Sequence, residues 1–392
     1  MPVSPHRIYL DNAATSFPKP EAVYDAVDRY QRELGAAVGR GATRAAVEVQ
    51  AIVDRCRARA ARLLGAQSPD RIVFTFNGTD GLNQAIHGLL RPSPQTAHVV
   101  TSRLEHNSVL RPLAQIGCEV TYVRPDDRGI VDLAAFRSAL RAETSLVVMT
   151  HASNVTGAVQ PIAEIGRLAH RNGSVFVLDA AQTAGHLPIH LRDLPVDVLA
   201  CSGHKGLLGP LGTGLLYVRP GLEERLVPLR QGGTGTQSEQ PAQPKSMPDR
   251  YESGNHNAPG LVGLEAALAW IEGQSVELLR SREQDLTARL LEGLRSSAGV
   301  TVYGPPVDGE RVGVVSFNIA GLPPQEVALV LDQNFGIAVR AGFHCAPMIH
   351  ECLDTAASGG TVRMSVGPFT SADEIDHAID AVRQIAATLI SA

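Results

Sequence analysis

The chain has 392 residues, of which 44% are hydrophobic and 19% charged, and its formal net charge is −5. These values are typical of a globular protein with room for two or three domains. The chain has no excess of positive charge, which argues against nucleic-acid or membrane partners. Five scattered cysteines without a Cys-x-x-Cys pair argue against a disulfide framework or a structural zinc site. The N-terminus lacks an apolar core and no apolar run approaches about 20 residues, so we expect a cytoplasmic protein.

Short apolar runs alternate with helical patterns between residues 68 and 220. The predicted strands are Arg71–Phe76, Ala97–Thr101, Glu119–Val123, Ser145–Thr150, Ser174–Leu178, Val196–Cys201 and Gly214–Val218, and the predicted helices are Asp80–Leu90, Asn107–Ile116, Leu133–Arg141 and Ile162–Asn172. The alternation predicts an α/β fold with a mostly parallel seven-stranded sheet. Ligands of such sheets bind at the carboxyl ends of the strands.

The flanking segments predict two further regions. Residues 20–65 predict two helices separated by a glycine-rich turn, and residues 231–259 predict a long functional loop because they are rich in Gly, Gln, Pro and Ser. The remainder predicts one long helix at 259–297, then strands at Arg311–Ile319, Ile337–Arg340 and Val362–Val366 and helices at Pro324–Asn334 and Ala372–Ser391. We expect a large domain at 16–260 and a smaller α+β domain at 261–392 that includes residues 1–15.

Three polar residues follow neighbouring predicted strands. Asp179 and Gln182 lie three residues apart after one strand, and Lys205 follows the next. Pyridoxal 5'-phosphate needs such a set, because a lysine forms the Schiff base and a carboxylate keeps the pyridine nitrogen protonated. A lone lysine after a strand is usually a surface group, but the combination predicts this cofactor.

A phosphate site is expected where the first predicted strand leads into Asn77-Gly78-Thr79 and a helix start. This turn presents free backbone N–H groups and the positive end of a helix dipole, and Thr79 adds a hydroxyl. The alternative is that Asn77 or Thr79 only caps the helix. Ser202 and His204, beside Lys205, are further candidate phosphate donors.

Four more residues are candidates for the chemistry. His106 and Asn154 each follow a strand, where an imidazole would stack on the ring and shuttle protons and an amide would bind the ring oxygen or the substrate. Cys345 lies between a histidine and an arginine in a glycine-containing loop, which is typical of a reactive nucleophile, although a buried, inert cysteine is the commoner case. Arg363 would bind a carboxylate bidentately or form a surface ion pair.

Other patterns carry no site. The glycine-rich run at 206–214 lacks the order of a dinucleotide site, and the run at 232–236 lacks the ending of a P-loop. The spacing of His344, Cys345, His350 and Cys352 fits no standard zinc pattern, so we expect no metal.

These motifs together resemble the class V, fold-type I pyridoxal phosphate enzymes, and specifically the cysteine desulfurases of the SUF type. The resemblance runs from Tyr9-Leu-Asp-Asn-Ala-Ala-Thr15 to the C-terminal helix. Its most specific motifs are Ser202-Gly-His-Lys205, Asp179-Ala-Ala-Gln182, His151-Ala-Ser-Asn154-Val and Arg340-Ala-Gly-Phe-His-Cys-Ala346. The segments Ser16-Phe-Pro-Lys-Pro20 and Gly39-Arg40-Gly-Ala42 resemble a subgroup of desulfurase-like proteins.

The resemblance implies a role for each matching residue. Lys205 would be the Schiff-base lysine, Cys345 the nucleophile that takes the sulfur, and His106 the stacking residue and proton donor. The cofactor would be held by Thr79, Asp80, His106, Asp179, Gln182, Ser202, His204, Lys205 and Asn255, and the substrate by Asn154, Arg340 and Arg363.

Three residues depart from the family pattern. Asn255 stands where a threonine usually reaches the phosphate of the neighbouring subunit, Phe343 replaces a common histidine, and Asp80 replaces a more usual glutamate. None of these changes removes a catalytic group.

The function implied is a homodimeric cysteine desulfurase that converts L-cysteine or a related sulfur amino acid to alanine. Each active site would be completed by the partner's 231–257 loop, and a persulfide on Cys345 would pass to a sulfur-acceptor protein. The alternatives are a C–S lyase, selenocysteine lyase or transaminase-like enzyme on the same fold, or a catalytically silent scaffold or sulfur-carrier partner that has kept the fold. Dependence on Cys345 distinguishes a desulfurase from the other enzymes, because those enzymes do not need this cysteine. The set of Lys205, Asp179 and Gln182 argues against a protein without catalytic activity.

Overall fold

The structure is a computed structural model that describes residues 7–39, 41–92, 96–237 and 239–390. Arg40 and residues 1–6, which belong to a quoted motif and to the predicted small domain, lie outside the described residues. In chain order the elements are β1 (Ile8–Tyr9), α1 (Glu21–Arg29), α2 (Arg44–Leu63), β2 (Ile72–Thr75), α3 (Gly78–Leu90), β3 (His98–Ser102), α4 (Asn107–Ile116), β4 (Glu119–Val123), α5 (Leu133–Ala139), β5 (Thr144–Thr150), α6 (Ile162–Arg171), β6 (Val175–Asp179), β7 (Val198–Ser202), β8 (Gly214–Val218), α7 (Ala258–Gln274), α8 (Val276–Arg295), β9 (Val300–Tyr303), β10 (Val314–Ile319), α9 (Pro324–Phe335), β11 (Ile337–Ala338), β12 (Arg340–Gly342), α10 (Pro347–Cys352), β13 (Thr361–Ser365) and α11 (Ala372–Ile390).

The seven predicted strands form one sheet, in the order β2-β8-β7-β6-β5-β3-β4. Only β8 runs antiparallel to its neighbours, so the prediction of a mostly parallel sheet is confirmed. The central strands are buried on both faces because helices cover both sides. Along β5, for example, Val147 and Met149 face one apolar core and Leu146 and Val148 face the other.

A second, four-stranded antiparallel sheet has the order β12-β13-β10-β9. Its apolar face packs with residues of α8, α9 and α11 in a core of its own. The short strand β1 pairs in parallel with β11, so the N-terminal segment lies with the C-terminal region. Just beyond β1, Asp11 bridges to Ser365 at the end of β13.

The predicted long helix at 259–297 is wrong, since the structure contains two helices, α7 and α8. They are separated at Ser275, which has φ 66 and ψ 144 and therefore cannot continue a helix. Its hydroxyl accepts a hydrogen bond from Leu278 N at 3.2 Å, which caps α8. A capping serine inside an apolar periodic pattern hides such a break, because the pattern continues on both sides.

Smaller differences concern the C-terminal region. The predicted strand at Ile337–Arg340 is divided between β11 and β12, which lie in different sheets, and the sequence did not predict β1, β9 or α10. The described part of the predicted 231–259 loop contains turns and bends without a helix or strand as far as residue 257, and α7 already begins at Ala258. Among the described helices, none combines the length and hydropathy needed to cross a membrane.

Candidate active site

A pocket lies at the carboxyl ends of β5, β6 and β7. The twelve residues that line it include members of six elements or their following loops, namely Gly78, Thr79, Leu82, His106, Ser108, Thr150, Asn154, Asp179, Ala181, Gln182, Ser202 and Lys205. Seven residues predicted from the sequence therefore line one pocket: Thr79, His106, Asn154, Asp179, Gln182, Ser202 and Lys205. The sheet brings them together because neighbouring parallel strands end at the same edge.

Asp179 and Lys205 form the charged pair of the pocket. Burial raises the pKa of Asp179, although the N–H of Ala181, which donates to its Oδ1 at 2.9 Å, and the charge of Lys205 oppose the rise. Burial lowers the pKa of Lys205 to about 8, and Asp179 opposes this shift. The lowered pKa increases the fraction of neutral amine near physiological pH, as a nucleophile or a base requires.

The beginning of α3 forms a small polar cradle. Asn77 caps the helix, since its side chain accepts a hydrogen bond from Asp80 N at 2.8 Å. Gly78 N donates a separate hydrogen bond to Ser202 Oγ at 3.1 Å. A Cβ on Gly78 would lie 2.9 Å from that oxygen, so the close approach requires glycine. Thr79 contributes its hydroxyl. This helix start with two hydroxyls fits an anionic group such as a phosphate.

His106 caps α4 through its ring. Ser108 N donates to His106 Nδ1 at 3.0 Å, which fixes Nδ1 as an acceptor and places the proton of the neutral ring on Nε2. Burial and the nearby cations, led by Lys205, lower the pKa of His106 to about 4. Ser108 Oγ lies 2.7 Å from His106 Nδ1 and 2.7 Å from Thr79 Oγ1, so the hydroxyl connects the imidazole to the start of α3.

Cys345 lies in a loop that is held in an unusual backbone conformation. His344 and Cys345 have φ angles of 50° and 60°, which non-glycine residues rarely adopt. Three hydrogen bonds hold them: Asn107 N donates to Cys345 O at 2.7 Å, Asn154 Nδ2 donates to His344 O at 2.6 Å, and His344 Nε2 donates to Thr361 O at 3.0 Å. The strain is maintained by contacts from the pocket wall, as at many functional sites.

The sulfur of Cys345 is half-buried beside a cation. Arg340, on β12, donates from Nη2 to Cys345 Sγ at 3.4 Å. Cys345 also lines an open groove that shares Thr79, His106 and Ser108 with the pocket. The thiol is therefore adjacent to the pocket and has access to the surface.

Arg363, on β13, is almost completely buried, with 1% of its surface exposed. Its Nη2 donates to Asp11 Oδ1 at 2.6 Å and its Nη1 donates to Asn154 O at 3.2 Å. Asn154 thereby touches both the arginine and the cysteine loop. This connects two of the predicted substrate residues to the nucleophile.

Besides Arg340, Cys345 and Arg363, three further predicted residues lie outside the pocket lining. The carboxylate of Asp80 accepts from Phe76 N at 2.9 Å and from Arg230 Nη2 at 3.0 Å. Asn255 lines a separate surface depression together with Arg230. His204 is half-buried, and burial lowers the pKa of its ring to about 4.

Sequence reasoning missed two carboxyl groups at the site. Glu105 is fully buried next to the ends of β3 and β5, and Asp11 contacts Arg363. Asp11 belongs to the quoted N-terminal motif, but the motif indicates no role for it. A single glutamate before a histidine carries no signal of burial either. Within the described residues, no group of three or more His, Cys, Asp or Glu side chains could hold a metal ion.

Comparisons with known proteins agree with this geometry. Residues 8–378 match the aminotransferase class-V family model. A probable cysteine desulfurase of Methanothermobacter thermautotrophicus is 35% identical, and the match covers 98% of this chain and 96% of that protein. A cysteine desulfurase of Escherichia coli O139:H28 is 32% identical, with 96% of this chain and 93% of that protein covered.

A solved structure extends the likeness to the fold. The apo cysteine desulfurase of Thermococcus onnurineus NA1 superposes with a TM-score of 0.90 at 33% identity, over 97% of this chain and 95% of that one. This confirms the predicted fold type I. The chain belongs to the aminotransferase class-V family, in which it groups with the cysteine desulfurases.

Proposed function

We propose that this protein is a pyridoxal phosphate-dependent cysteine desulfurase, which converts L-cysteine to L-alanine and keeps the sulfur as a persulfide on Cys345. The observation that carries the proposal is the position of Cys345. Its half-buried thiol lies beside the pocket that contains Lys205 and Asp179, with Arg340 on the sulfur. The names of the relatives and of the solved structure support the same activity.

The residues of the pocket fit pyridoxal 5'-phosphate. Lys205 would bind its aldehyde, Asp179 its pyridine nitrogen and Gln182 its phenolic oxygen, while Thr79, Ser202 and His204 would hold the phosphate at the start of α3. His106 would stack on the ring. Bound there, the cofactor would supply an electron sink for the pair released when the α-proton of the substrate leaves.

The chain's own groups would carry out the rest of the reaction. Arg363 and Asn154 would bind and orient the substrate carboxylate, and the amine of Lys205 would remove the α-proton. The sulfur of Cys345 would then attack the substrate sulfur, so that an S–S bond forms and the Cβ–S bond breaks with its electron pair left on Cβ. A proton delivered to Cβ and the return of the α-proton from Lys205 to Cα would complete alanine, and Arg340 would balance the charge on the sulfurs.

We further propose that the protein acts as a homodimer and passes its sulfur to an acceptor protein. Asn255 and the 231–257 segment would face the partner's site, as in the family pattern. The surface position of Asn255, outside the pocket of its own chain, supports this arrangement. The groove that leads from Cys345 to the surface offers an acceptor thiol a path to the persulfide.

The test is the product formed from L-cysteine by the wild-type protein and by Cys345→Ala. We expect alanine from the wild type, and one additional sulfur atom on the peptide that contains Cys345, measured by mass spectrometry. Cys345→Ala should lose alanine formation by about a hundredfold or more, because a covalent nucleophile is removed. Cys118→Ala, which changes another half-buried cysteine, is the matched control and should keep the wild-type rate.

The result also separates the alternatives. Full alanine or sulfide production by Cys345→Ala would contradict the desulfurase mechanism and favour a C–S or selenocysteine lyase. If the wild type binds the cofactor but transfers an amino group to a keto acid without releasing sulfur, it is a transaminase. A protein that fails to bind the cofactor would be a silent scaffold.

A further inference from the structure

The guanidinium of Arg363 has more donors than partners. Of its five N–H groups, one on Nη2 goes to Asp11 and one on Nη1 goes to the carbonyl of Asn154. Nε is buried and has no hydrogen-bond partner among the described residues. A buried donor without a partner is costly, so the guanidinium has unused capacity for a further acceptor.

Backbone contacts hold Asp11 next to this arginine. Its backbone follows β1 and bridges to Ser365 on β13, and the hydroxyl of Tyr9 donates to its carbonyl at 3.2 Å. Only one oxygen of its carboxylate, Oδ1, contacts the guanidinium, and it contacts only Nη2. The monodentate contact leaves the edge that contains Nε free.

Cationic side chains are prominent around Arg363, although Cys345 acts on the pKa of Arg363 in the same direction as Asp11. Arg340 lies close enough to lower the pKa of Arg363 further after burial has lowered it, and Asp11 acts in the opposite direction. Lys205 also lies within the range of Arg363's charge. A buried cation without a counter-ion is strongly destabilising, so Asp11 stabilises this cluster when no other anion is present.

We propose that Asp11 is a resident counter-ion of Arg363, whose charge opposes the α-carboxylate of an incoming amino acid and so weakens its binding. This rests on the proposed function only in taking Arg363 as the carboxylate site. Asp11 is a positioning residue that acts through Arg363 without contacting the substrate. Two carboxylates that share one guanidinium repel each other, so stability of the substrate-free protein is gained at the expense of substrate affinity.

The test is the binding of L-alanine to the cofactor-loaded protein, followed by calorimetry and by the absorbance of the cofactor, in wild type and Asp11→Asn. Asparagine keeps the shape and the acceptor oxygen but removes the charge. We expect the dissociation constant to fall by about fivefold or more, the size of a typical coupling between two sites. Without ligand, the melting temperature of Asp11→Asn should be lower than that of the wild type.

A gain in affinity is diagnostic, because general structural damage weakens binding. Asp332→Asn makes the same charge change at an exposed carboxylate that pairs only loosely with Arg7, at 3.8 Å, and should leave both quantities unchanged. In an Arg363→Gln background, Asp11→Asn should no longer raise the affinity. If Asp11→Asn does not fold, Asp11→Ser removes the same charge and is measured in the same way.

Weaker or unchanged binding of L-alanine by the charge-free variants would overturn the proposal, as would an equal gain in the Arg363→Gln background. The outcome is independent of the desulfurase reaction, since alanine binding needs only an α-amino carboxylate. If the wild type binds L-alanine yet releases no alanine from cysteine, the proposed function fails while this inference can still hold.

Discussion

Glu105 is a carboxyl group without access to solvent at the base of the candidate site. Its Oε1 accepts from Ser102 Oγ at 2.5 Å and from Thr150 N at 3.1 Å, while its Oε2 has no partner among the described residues. Burial raises its pKa to about 8, and the charge of Asp179 adds to the rise. A neutral Glu105 leaves Asp179 as the carboxylate that faces Lys205 in the pocket.

We therefore expect Glu105→Gln to be tolerated and Glu105→Ala to be destabilising. Glutamine matches a neutral acid and should change the free energy of unfolding by about 1 kcal/mol or less at pH 5, where Glu105 is neutral in the folded protein. Alanine leaves Ser102 and Thr150 without their acceptor and creates a cavity, at a cost of about 2–4 kcal/mol. Denaturant unfolding measures both, and equal losses would show that Glu105 is ionised or dispensable.

The pH dependence gives a second readout of the same residue. The folded pKa of about 8 lies above the ordinary value of 4.5, so the stability from Glu105 is present below pH 4.5 and is lost as pH rises towards 8. Glu105→Gln cannot titrate and lacks this loss. Its stability relative to the wild type should rise between pH 5 and 8, by at most about 1.4 kcal/mol per pH unit.

At the scale of elements, the alternation of apolar runs and helical periods was sufficient to predict the seven strands of the large sheet. The same pattern missed the break at Ser275, because the apolar periodicity of α7 continues into α8. Only the backbone dihedral angles of Ser275 mark where one helix ends and the next begins. Ser275 is exposed and its φ of 66 with ψ of 144 lies close to a region that glycine almost alone adopts.

Ser275→Gly should therefore stabilise the protein. Glycine relieves a backbone strain of about 1–3 kcal/mol and costs a few tenths as an N-cap, so we expect a net gain of about 1 kcal/mol. Ser275→Ala keeps the strain and loses the cap to Leu278, and should lose about 1 kcal/mol. Thermal unfolding of the two variants separates these terms, and a glycine variant less stable than the alanine variant would refute the strain argument.

The sequence predicted the site residues that lie at the ends of strands. It did not predict the placement of those whose positions depend on burial or on an ion-pair partner. Asp179 and Lys205 follow parallel neighbouring strands, so their meeting follows from the topology. The side chain of Asp80 points to Arg230, 150 residues away, and the position of Glu105 depends on packing between β3 and β5. Such contacts are long-range, and a local sequence pattern contains no trace of them.

For the whole molecule, the candidate site lies where the two sheets meet. The carbonyl of Asn154, which follows β5 of the large sheet, accepts from Arg363 on β13, and its amide donates to the loop of Cys345. The N-terminal segment joins them, since Gln182 Nε2 donates to Ala13 O at 3.1 Å. Asn154 thereby links Arg363, the proposed carboxylate site, to the loop that contains Cys345.

Buried and half-buried histidines lie in and around this junction, and together they predict how the whole molecule responds to acid. Burial is the main cause that lowers the pKa of His106, His151, His204 and His350 to about 4 and that of His344 to about 2. An unfolded chain protonates these rings near pH 6.5. The folded state therefore binds fewer protons than the unfolded state between about pH 6.5 and 4.

Stability should accordingly be full above pH 6.5 and fall steeply as pH decreases through this window, by up to about 1.4 kcal/mol per pH unit for each histidine. Glu105 and Asp179, whose pKa values are raised, act with the opposite sign but are fewer than the histidines, and Glu283, whose pKa lies below its ordinary value, contributes only below about pH 4.5. Guanidinium unfolding at pH 7.0, 6.0 and 5.0 measures the slope, and His151→Gln should reduce it by the share of one ring. Equal unfolding midpoints at pH 7.0 and 5.0 would mean that these imidazoles are charged or exposed in the folded protein. Above the pH range in which carboxylates titrate, acid destabilises the protein only if the folded state keeps its histidine rings neutral.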